Sequence, residues 1–363
     1  MRFRFIHTAD WQIGKPFGNF EDETKFRLQE ERYAVIDRIA ETARTASVTH
    51  VLVAGDVFDH VQPADRVLRR TLDRLSKAKD IYWWLLPGNH DPSGPNSLWQ
   101  RLSEMGIPNN VHPLLEPRPV MVEDEVAILP APWTSKHPNR DLTAWFESPN
   151  VSAEVLIGLA HGSVQGFGSD PDPRALIPSD RSDRSSLAYL ALGDWHGTKR
   201  AGPRAFYSGT PEPDSFRNNE RGQVLLVDTE NADAPETIRV GGFDWLKVDI
   251  VLHPEQQSEP SLDAVLPTGV DHDRTLLNLS LSGNARFSEK RAWETFLAEQ
   301  AQSFAHLAWS DDALDVVTAE QDLADLLGEG ALRNVAQALV TQQESGNPAA
   351  LDALNLLDLY ARQ

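Results

Sequence analysis

Five polar clusters in this 363-residue chain carry side chains able to hold divalent metal ions. They are Asp10-Trp11-Gln12, Gly55-Asp56-Val57-Phe58-Asp59, Gly88-Asn89-His90-Asp91, His161-Gly162 and Gly193-Asp194-Trp195-His196-Gly197. Carboxylate, amide and imidazole donors in this mixture suit Mn²⁺, Fe²⁺, Zn²⁺ or Mg²⁺. Glycine beside a ligand lets the backbone turn with φ > 0. Each cluster alone says little, because an Asp after a strand is commonly a helix cap or turn residue. Together they predict a two-metal centre, in which one carboxylate bridges the ions and a shared hydroxide is the nucleophile. Such ions stabilise charge on a pentavalent phosphorus, and a neighbouring histidine can protonate the leaving oxygen.

The elements that must position these clusters are legible as apolar runs. Residues 48–54, 81–86, 126–129, 155–160, 187–192 and 223–227 read as buried strands. Ile36, Ile39, Ala40 and Ala43 recur at helical spacing, as do Leu68, Leu72 and Leu75. Alternating strands and helices predict a layered α/β domain. Ligands in open α/β sheets bind at the carboxyl ends of strands, and each polar cluster follows a strand, so distant clusters are expected to meet.

Beyond this, residues 163–186 form a long loop rich in Gly, Pro, Ser and Asp, and 229–242 read as a linker. Alternation over 245–252 and 275–281, a helical stretch over 289–304, a strand near 313–317 and a closing helix over 348–361 predict a smaller α+β region with a helical tail. The expected boundaries are 1–242 for the site-bearing domain, 243–345 for the α+β domain and 346–363 for the tail.

Composition narrows the function. Without cysteine the chain has neither disulfides nor thiolate metal sites. It has no apolar run of the roughly 18 residues a membrane helix needs. The first residues enter a strand pattern at once, with no signal-peptide core, so a cytoplasmic location is expected. Net charge is −20, and residues 246–363 hold 19 acidic against 7 basic side chains, a net of −12. Surfaces that grip duplex DNA are usually basic. A nucleic acid would therefore be handled locally, through metal ions or with a partner's basic surface; the plain alternative is that acidity aids solubility.

The order D-x-(H)…GD…GNH…HG…G-x-x-H resembles the calcineurin-like metallophosphoesterases. Within them it is most similar to DNA-repair nucleases of the Mre11 and SbcD type, especially the YhaO-like bacterial branch. The residues that carry the resemblance are "HTADWQIG", "LVAGDVFD", "LLPGNHD", "LAHG", "YLALGDWHG" and "YSGTPEP", over roughly residues 1–228. The resemblance implies a layered β-sandwich flanked by helices and a DNA exonuclease with two divalent ions. Asp10, Gln12, Asp56 and His196 would hold one ion, with Asp56 bridging. Asn89, His161 and Asp194 would complete the other, and His90 would be the catalytic histidine. It also implies a DNA-capping role for the second domain and docking of an SMC-like ATPase through the C-terminal helices. A homodimer is left open.

Three positions depart from the family pattern. Gln12 and Asp194 stand where histidines are common, and Asp59 stands where nuclease relatives often have a substrate-side histidine. Asp10, Asp56 and Asp194 with a hydroxide would neutralise two divalent ions. That predicts a hard, oxygen-rich centre preferring Mn²⁺, then Mg²⁺, over Zn²⁺. Trp11 and Trp195 are expected to pack beneath the site, with base stacking as the rival role. Arg200, with Lys199 and Arg204, is a candidate for substrate phosphates. Leu351, Leu354, Leu357 and Tyr360 form an apolar stripe in the tail, for self-packing or partner docking. Two rival functions stand beside the nuclease: a phosphodiesterase for nucleotides or other small esters, and a non-catalytic scaffold with a degraded metal site.

Overall fold

The computed structural model describes residues 1–166, 175–217, 221–253, 259–317 and 331–347, and beyond these 349–350, 353–354 and 356–357. They divide into two compact units, Met1–Trp245 and Leu246–Gln363.

The first unit holds two six-stranded sheets. In chain order its elements are β1 (Arg4–Thr8), α1 (Asp22–Thr45), β2 (His50–Val53), α2 (Asp65–Lys77), β3 (Tyr82–Leu85), α3 (Leu98–Met105), β4 (Val111–Pro113), β5 (Val120–Glu123), β6 (Val126–Ala131), β7 (Val155–His161), α4 (Arg181–Arg184), β8 (Tyr189–Gly193), β9 (Lys199–Gly202), β10 (Ala205–Tyr207), β11 (Gln223–Asp228) and β12 (Glu236–Arg239). The sheets run β12-β11-β1-β2-β3-β4 and β5-β6-β7-β8-β10-β9. Strands β1 to β4 are mutually parallel, as are β6, β7, β8 and β10, while β5, β9, β11 and β12 pair antiparallel at the edges.

Three apolar layers hold this arrangement. Phe5, Leu52 and Leu225 of the first sheet pack with Ile128, Ile157, Tyr189 and Phe206 of the second. The helices cover the other face of the first sheet, where Ile36, Ile39, Leu68, Leu72 and Leu102 meet Ile6, Val51, Val53 and Trp83. Leu129, Phe146, Leu190 and Leu192 bury the far face of the second sheet. Strands covered on both faces read as continuous apolar runs, which is why they are visible in the sequence. Helix α1 begins with Asp22 and Glu23 and ends with Arg44, charges that complement its dipole.

The second unit contains most of β13 (Asp244–Leu252), β14 (Thr275–Arg286), α5 (Phe287–Gln300), β15 (His306–Val317) and α6 (Ala331–Glu344). Its sheet runs β13-β14-β15, with Leu277, Leu279, Leu281, Trp293 and Leu297 in its core.

The mixed α/β fold, two layered sheets with flanking helices and a smaller C-terminal sheet region, is the one the sequence predicts. Local details differ. Residues 229–242 are not a linker: they make a 3-10 turn and then β12, where polar Glu236 and Arg239 sit on an edge strand and Ile238 packs inward. The strand expected near 313–317 begins at His306. Ser310-Asp311-Asp312 interrupts its apolar pattern, and the register against β14 shifts there. In the long loop, Val164 pairs with Ile177 and α4 follows; its residues 167–174 lie outside the described residues. Of the tail stripe only Leu354 and Leu357 are described, and both pack with Ala336 and Val340 of α6.

Candidate metal centre

The predicted clusters meet at the carboxyl ends of both sheets. Asp10 follows β1, Asp56 follows β2, and Asn89 and His90 follow β3. His161 is the last residue of β7, while Asp194 and His196 follow β8. The turns that aim them are unusual for non-glycine residues: φ is 55° at Asp10, 46° at Gln12, 52° at Asp56 and 104° at Asp194. Left-handed conformations in residues with a Cβ persist where surrounding structure fixes them. Here Asp10 N–H donates to the Gly55 carbonyl at 3.1 Å, and Gln12 N–H donates to the Asp56 carbonyl at 2.9 Å. Two glycines leave room for the donors. A Cβ on Gly88 would lie 2.1 Å from Asp56 Oδ1, and one on Gly193 would lie 2.0 Å from the Ala54 carbonyl.

One half of the centre is organised around His161. Its Nδ1 lies 2.8 Å from the Ala54 carbonyl, so that nitrogen carries the proton and Nε2 faces the site. Nε2 looks onto Asn89 Oδ1 at 2.8 Å, Asp56 Oδ1 at 3.5 Å and Asp194 Oδ1 at 3.9 Å. Burial opposes charge on this imidazole, but Asp56, Asp10 and Asp194 outweigh it and push its pKa up to about 9. The same burial, with Asp56 and Asp194 adding to it and His161 and His196 opposing, pushes Asp10 up to about 6. One ligand atom from each of Asp10, Asp56 and His161 lies within 4.8 Å of the other two. Three oxygen groups thus converge on a nitrogen that needs a proton to satisfy them. A divalent cation fits this donor set, because it would answer the same oxygens and leave the imidazole neutral.

The other half is arranged differently. Asp10 accepts Asp194 N–H on both carboxylate oxygens, at 3.2 and 3.1 Å, and its carbonyl accepts from Thr210 Oγ1 at 2.9 Å. His196 Nδ1 lies 3.2 Å from Asp214 Oδ1 and its Nε2 lies 3.1 Å from Gln12 Nε2. Lys15 Nζ donates to Gln12 Oε1 at 3.0 Å and to Asp214 Oδ2 at 2.5 Å. Burial opposes ionisation of Asp214, but the hydrogen bond from His196 and the charges of His196, Arg32 and Lys15 hold it well below the usual carboxylate range.

His90 stands at the open face. Its Nδ1 lies 2.9 Å from the Asp59 carbonyl, which directs Nε2 outward, 4.0 Å from Asp56 Oδ2. Its backbone N–H donates to Asp56 Oδ1 at 3.0 Å. Behind it, buried Asp91 accepts from Gly88 N–H at 2.6 Å and Phe58 N–H at 3.0 Å, pinning the turn that carries Asn89 and His90. Burial, then the charge of Asp56, pushes the Asp91 pKa up to about 8.

The structure therefore brings together Asp10, Gln12, Asp56, Asn89, His90, His161, Asp194 and His196. Asp59 reaches the group through its carbonyl to His90 and its carboxylate, 3.8 Å from Lys15. Arg200 is on β9, with its guanidinium on Asp233 and the carbonyls of Gly202 and Pro203; none of these partners belongs to the cluster. Trp11 is fully buried, edge-on to Trp83, as expected of a packing residue. Trp195 does not pack beneath the site: it is 38% exposed, with Lys199 Nζ 5.5 Å from its ring. The turn after β8 directs Asp194 and His196 inward, and Trp195 between them faces out. Lys15 and Asp214 join the site without matching any of the sequence clusters. Their one available signal is nearness to "ADWQIG" and "YSGTPEP".

Residues 3–198 match the family described as calcineurin-like phosphoesterase, and the chain belongs to that family. It is 24% identical over 244 residues to the metallophosphoesterase YhaO of Bacillus subtilis, covering 63% of this chain and 58% of that protein. It is 27% identical over 288 residues to the SbcD component of the nuclease SbcCD of Rhodobacter capsulatus, covering 65% and 68%. It is 25% identical over 256 residues to the DNA double-strand break repair protein Mre11 of Methanopyrus kandleri, covering 60% and 51%. The chain thus spans about half to two-thirds of the length of these relatives. Among the described residues, no helix is long and apolar enough to cross a membrane.

Proposed function

We propose that the chain is a divalent-metal-dependent phosphodiesterase that cleaves DNA, acting as an exonuclease in DNA repair. The observation that carries the reading is the convergence of Asn89, Asp56 and Asp194 oxygens on His161 Nε2 in a chain of the calcineurin-like phosphoesterase family. Similarity to the SbcD and Mre11 proteins supports DNA as the substrate.

In this reading Asp10, Gln12, Asp56 and His196 would hold one ion, and Asp56, Asn89, His161 and Asp194 the other. Mn²⁺, or second to it Mg²⁺, suits so oxygen-rich a set. When bound, the ions would supply Lewis acidity and offset the charge of the phosphate. The chain's own contribution is positional. The Asp59 carbonyl accepts the His90 Nδ1 proton, which leaves Nε2 at the open face as the nitrogen that takes up a second proton and, as imidazolium, gives it to a leaving oxygen. Asp91, and the Asp56 carboxylate that accepts the His90 backbone N–H, keep His90 at that face. A DNA-capping role for the second unit, an SMC-like ATPase partner at the C-terminal helices and pairing of two copies belong to the same proposal. Exposed Leu332 and Val335 on α6 support an apolar docking surface.

A second reading is a phosphodiesterase for nucleotides or similarly small esters. A cavity of about 280 Å³ beside the centre favours it, lined by Trp195, His196, Thr210, Asp214 and Arg217 among others. The net charge of −20 points the same way. End-labelled duplex DNA and a small phosphodiester, each incubated with Mn²⁺ or chelator, separate the two. The first reading expects Mn²⁺-dependent shortening of the DNA. Turnover of the small ester with intact DNA would transfer the conclusion to the second.

A further inference from the structure

Gln12 offers a metal an oxygen only if its amide is turned that way, and its neighbours decide the turn. Lys15 Nζ, which can only donate, lies 3.0 Å from one end of the amide, so that end is the oxygen. The other end, the NH₂, then faces His196 Nε2 at 3.1 Å. That contact needs Nε2 to accept, and therefore Nδ1 to carry the proton. Asp214 Oδ1, 3.2 Å from Nδ1, takes that proton as acceptor. Asp214 Oδ2 in turn holds Lys15 in place at 2.5 Å. Each of the four contacts in this ring of side chains pairs a donor with an acceptor. Turning the amide over would set NH₂ against ammonium and break two contacts at once.

We propose that Lys15 holds Gln12 as a hydrogen-bond donor to His196, which makes the Asp10–His196 position the weaker of two unequal metal positions. The proposal rests on the reading of the cluster as a two-metal centre. Three effects act in one direction. The Gln12 oxygen is engaged by Lys15. The His196 nitrogen that faces the site is already engaged by Gln12. An ammonium group stands beside the position and opposes a second cation. In the His161 half the oxygens of Asn89, Asp56 and Asp194 face a single nitrogen, and Asp56 and Asp194 accept there from neutral donors, His90 N–H at 3.0 Å and Ser163 Oγ at 3.2 Å, rather than from an ammonium. The first ion is thus held tightly and the second is exchangeable, so the second position fills only at higher metal concentration or with substrate.

The test is Mn²⁺ titration of the chelator-stripped full chain, read by calorimetry and by low-temperature electron paramagnetic resonance. The wild type is expected to take one equivalent first, with the signal of an isolated Mn²⁺. A second equivalent, at least roughly tenfold weaker, should then convert it to a coupled pair. Lys15→Met frees the Gln12 oxygen and removes the charge, and Gln12→His supplies an imidazole; each should bring the two affinities together. Thermal unfolding checks that both variants fold, and either one alone suffices. Two equal affinities in the wild type, or an unchanged gap in both folded variants, would overturn the proposal. Failure of wild type and Gln12→His alike to bind a second equivalent would instead remove the two-metal reading on which it rests.

Discussion

The two halves of the centre are built from similar side chains and arranged in opposite ways. Around His161 the oxygens of Asn89, Asp56 and Asp194 crowd one nitrogen of a fully buried ring, and Asp56 and Asp194 accept from the neutral His90 N–H and Ser163 hydroxyl. Around His196, Lys15, Gln12 and Asp214 already satisfy one another. Counting ligand-type residues therefore does not measure a metal position. What matters is whether their lone pairs are committed elsewhere. His7 makes the same point from outside the centre. It is as buried as His161, but its hydrogen-bond partners are the Tyr189 hydroxyl and the Leu192 carbonyl, and burial, which the Leu192 contact only partly offsets, pushes its pKa down to about 3.

Removing Asp56, which the proposed centre assigns to both ions, should have the largest effect. Asp56→Asn is expected to abolish Mn²⁺ binding at both positions and with it phosphodiester turnover. His90→Ala should leave both metal affinities unchanged and lower kcat by about 10²–10⁴-fold. Steady-state kinetics on a small phosphodiester, with calorimetry on the same preparations, separates the two outcomes. A smaller, one-sided effect is expected from Asp214→Asn. It should weaken the Asp10–His196 position by roughly 10–100-fold through loss of the His196 tautomer, and spare the His161 half. Loss at both positions would mean that the halves are not independent.

Stability offers two further probes. Gly193→Ala places a methyl 2.0 Å from the Ala54 carbonyl, a backbone atom that cannot swing aside. A destabilisation of about 1–3 kcal/mol is expected, read as a lowered urea midpoint. The second probe is pH. His161 is raised to about 9, so its contribution is fully present below about 6.5 and is lost as pH rises through 9. Asp91, raised to about 8, acts in the same direction between about 4 and 8, since its ionised form is disfavoured in the fold. The metal-free protein should therefore lose stability from pH 6.5 to 9, by up to about 1.4 kcal/mol per pH unit for each group. Saturating Mn²⁺ should flatten the His161 part. An identical melting profile with and without Mn²⁺ across this range would contradict the assigned role of His161.

Most of the first unit is legible in the sequence because its strands are buried on both faces and because the site needs rare residue types at strand ends. His161 and Asp56 each announce themselves by type, and their glycine neighbours by the room they leave. Edge strand β12 is hidden because an edge needs no continuous apolar run, and Glu236 and Arg239 look like linker residues. Trp195 defeats period-two reasoning because that rule holds within a strand and fails in the turn after β8. Lys15 and Asp214 are invisible for a different reason. Their contact spans 199 positions and depends on side-chain direction, which no spacing encodes. The departures at Gln12 and Asp194 are visible as residues, and the family resemblance assigns each to a half of the centre, but the turn that Lys15 imposes on the Gln12 amide is not visible.

A metal centre with one tight and one weak position can be seen directly. Crystals grown in limiting Mn²⁺, with anomalous diffraction collected at the manganese edge, would show how each position fills. The expected result is a strong peak among Asp56, Asn89, His161 and Asp194, with a distinctly weaker one beside Asp10 and His196. Peaks of equal height, or none within the cluster, would contradict the unequal centre.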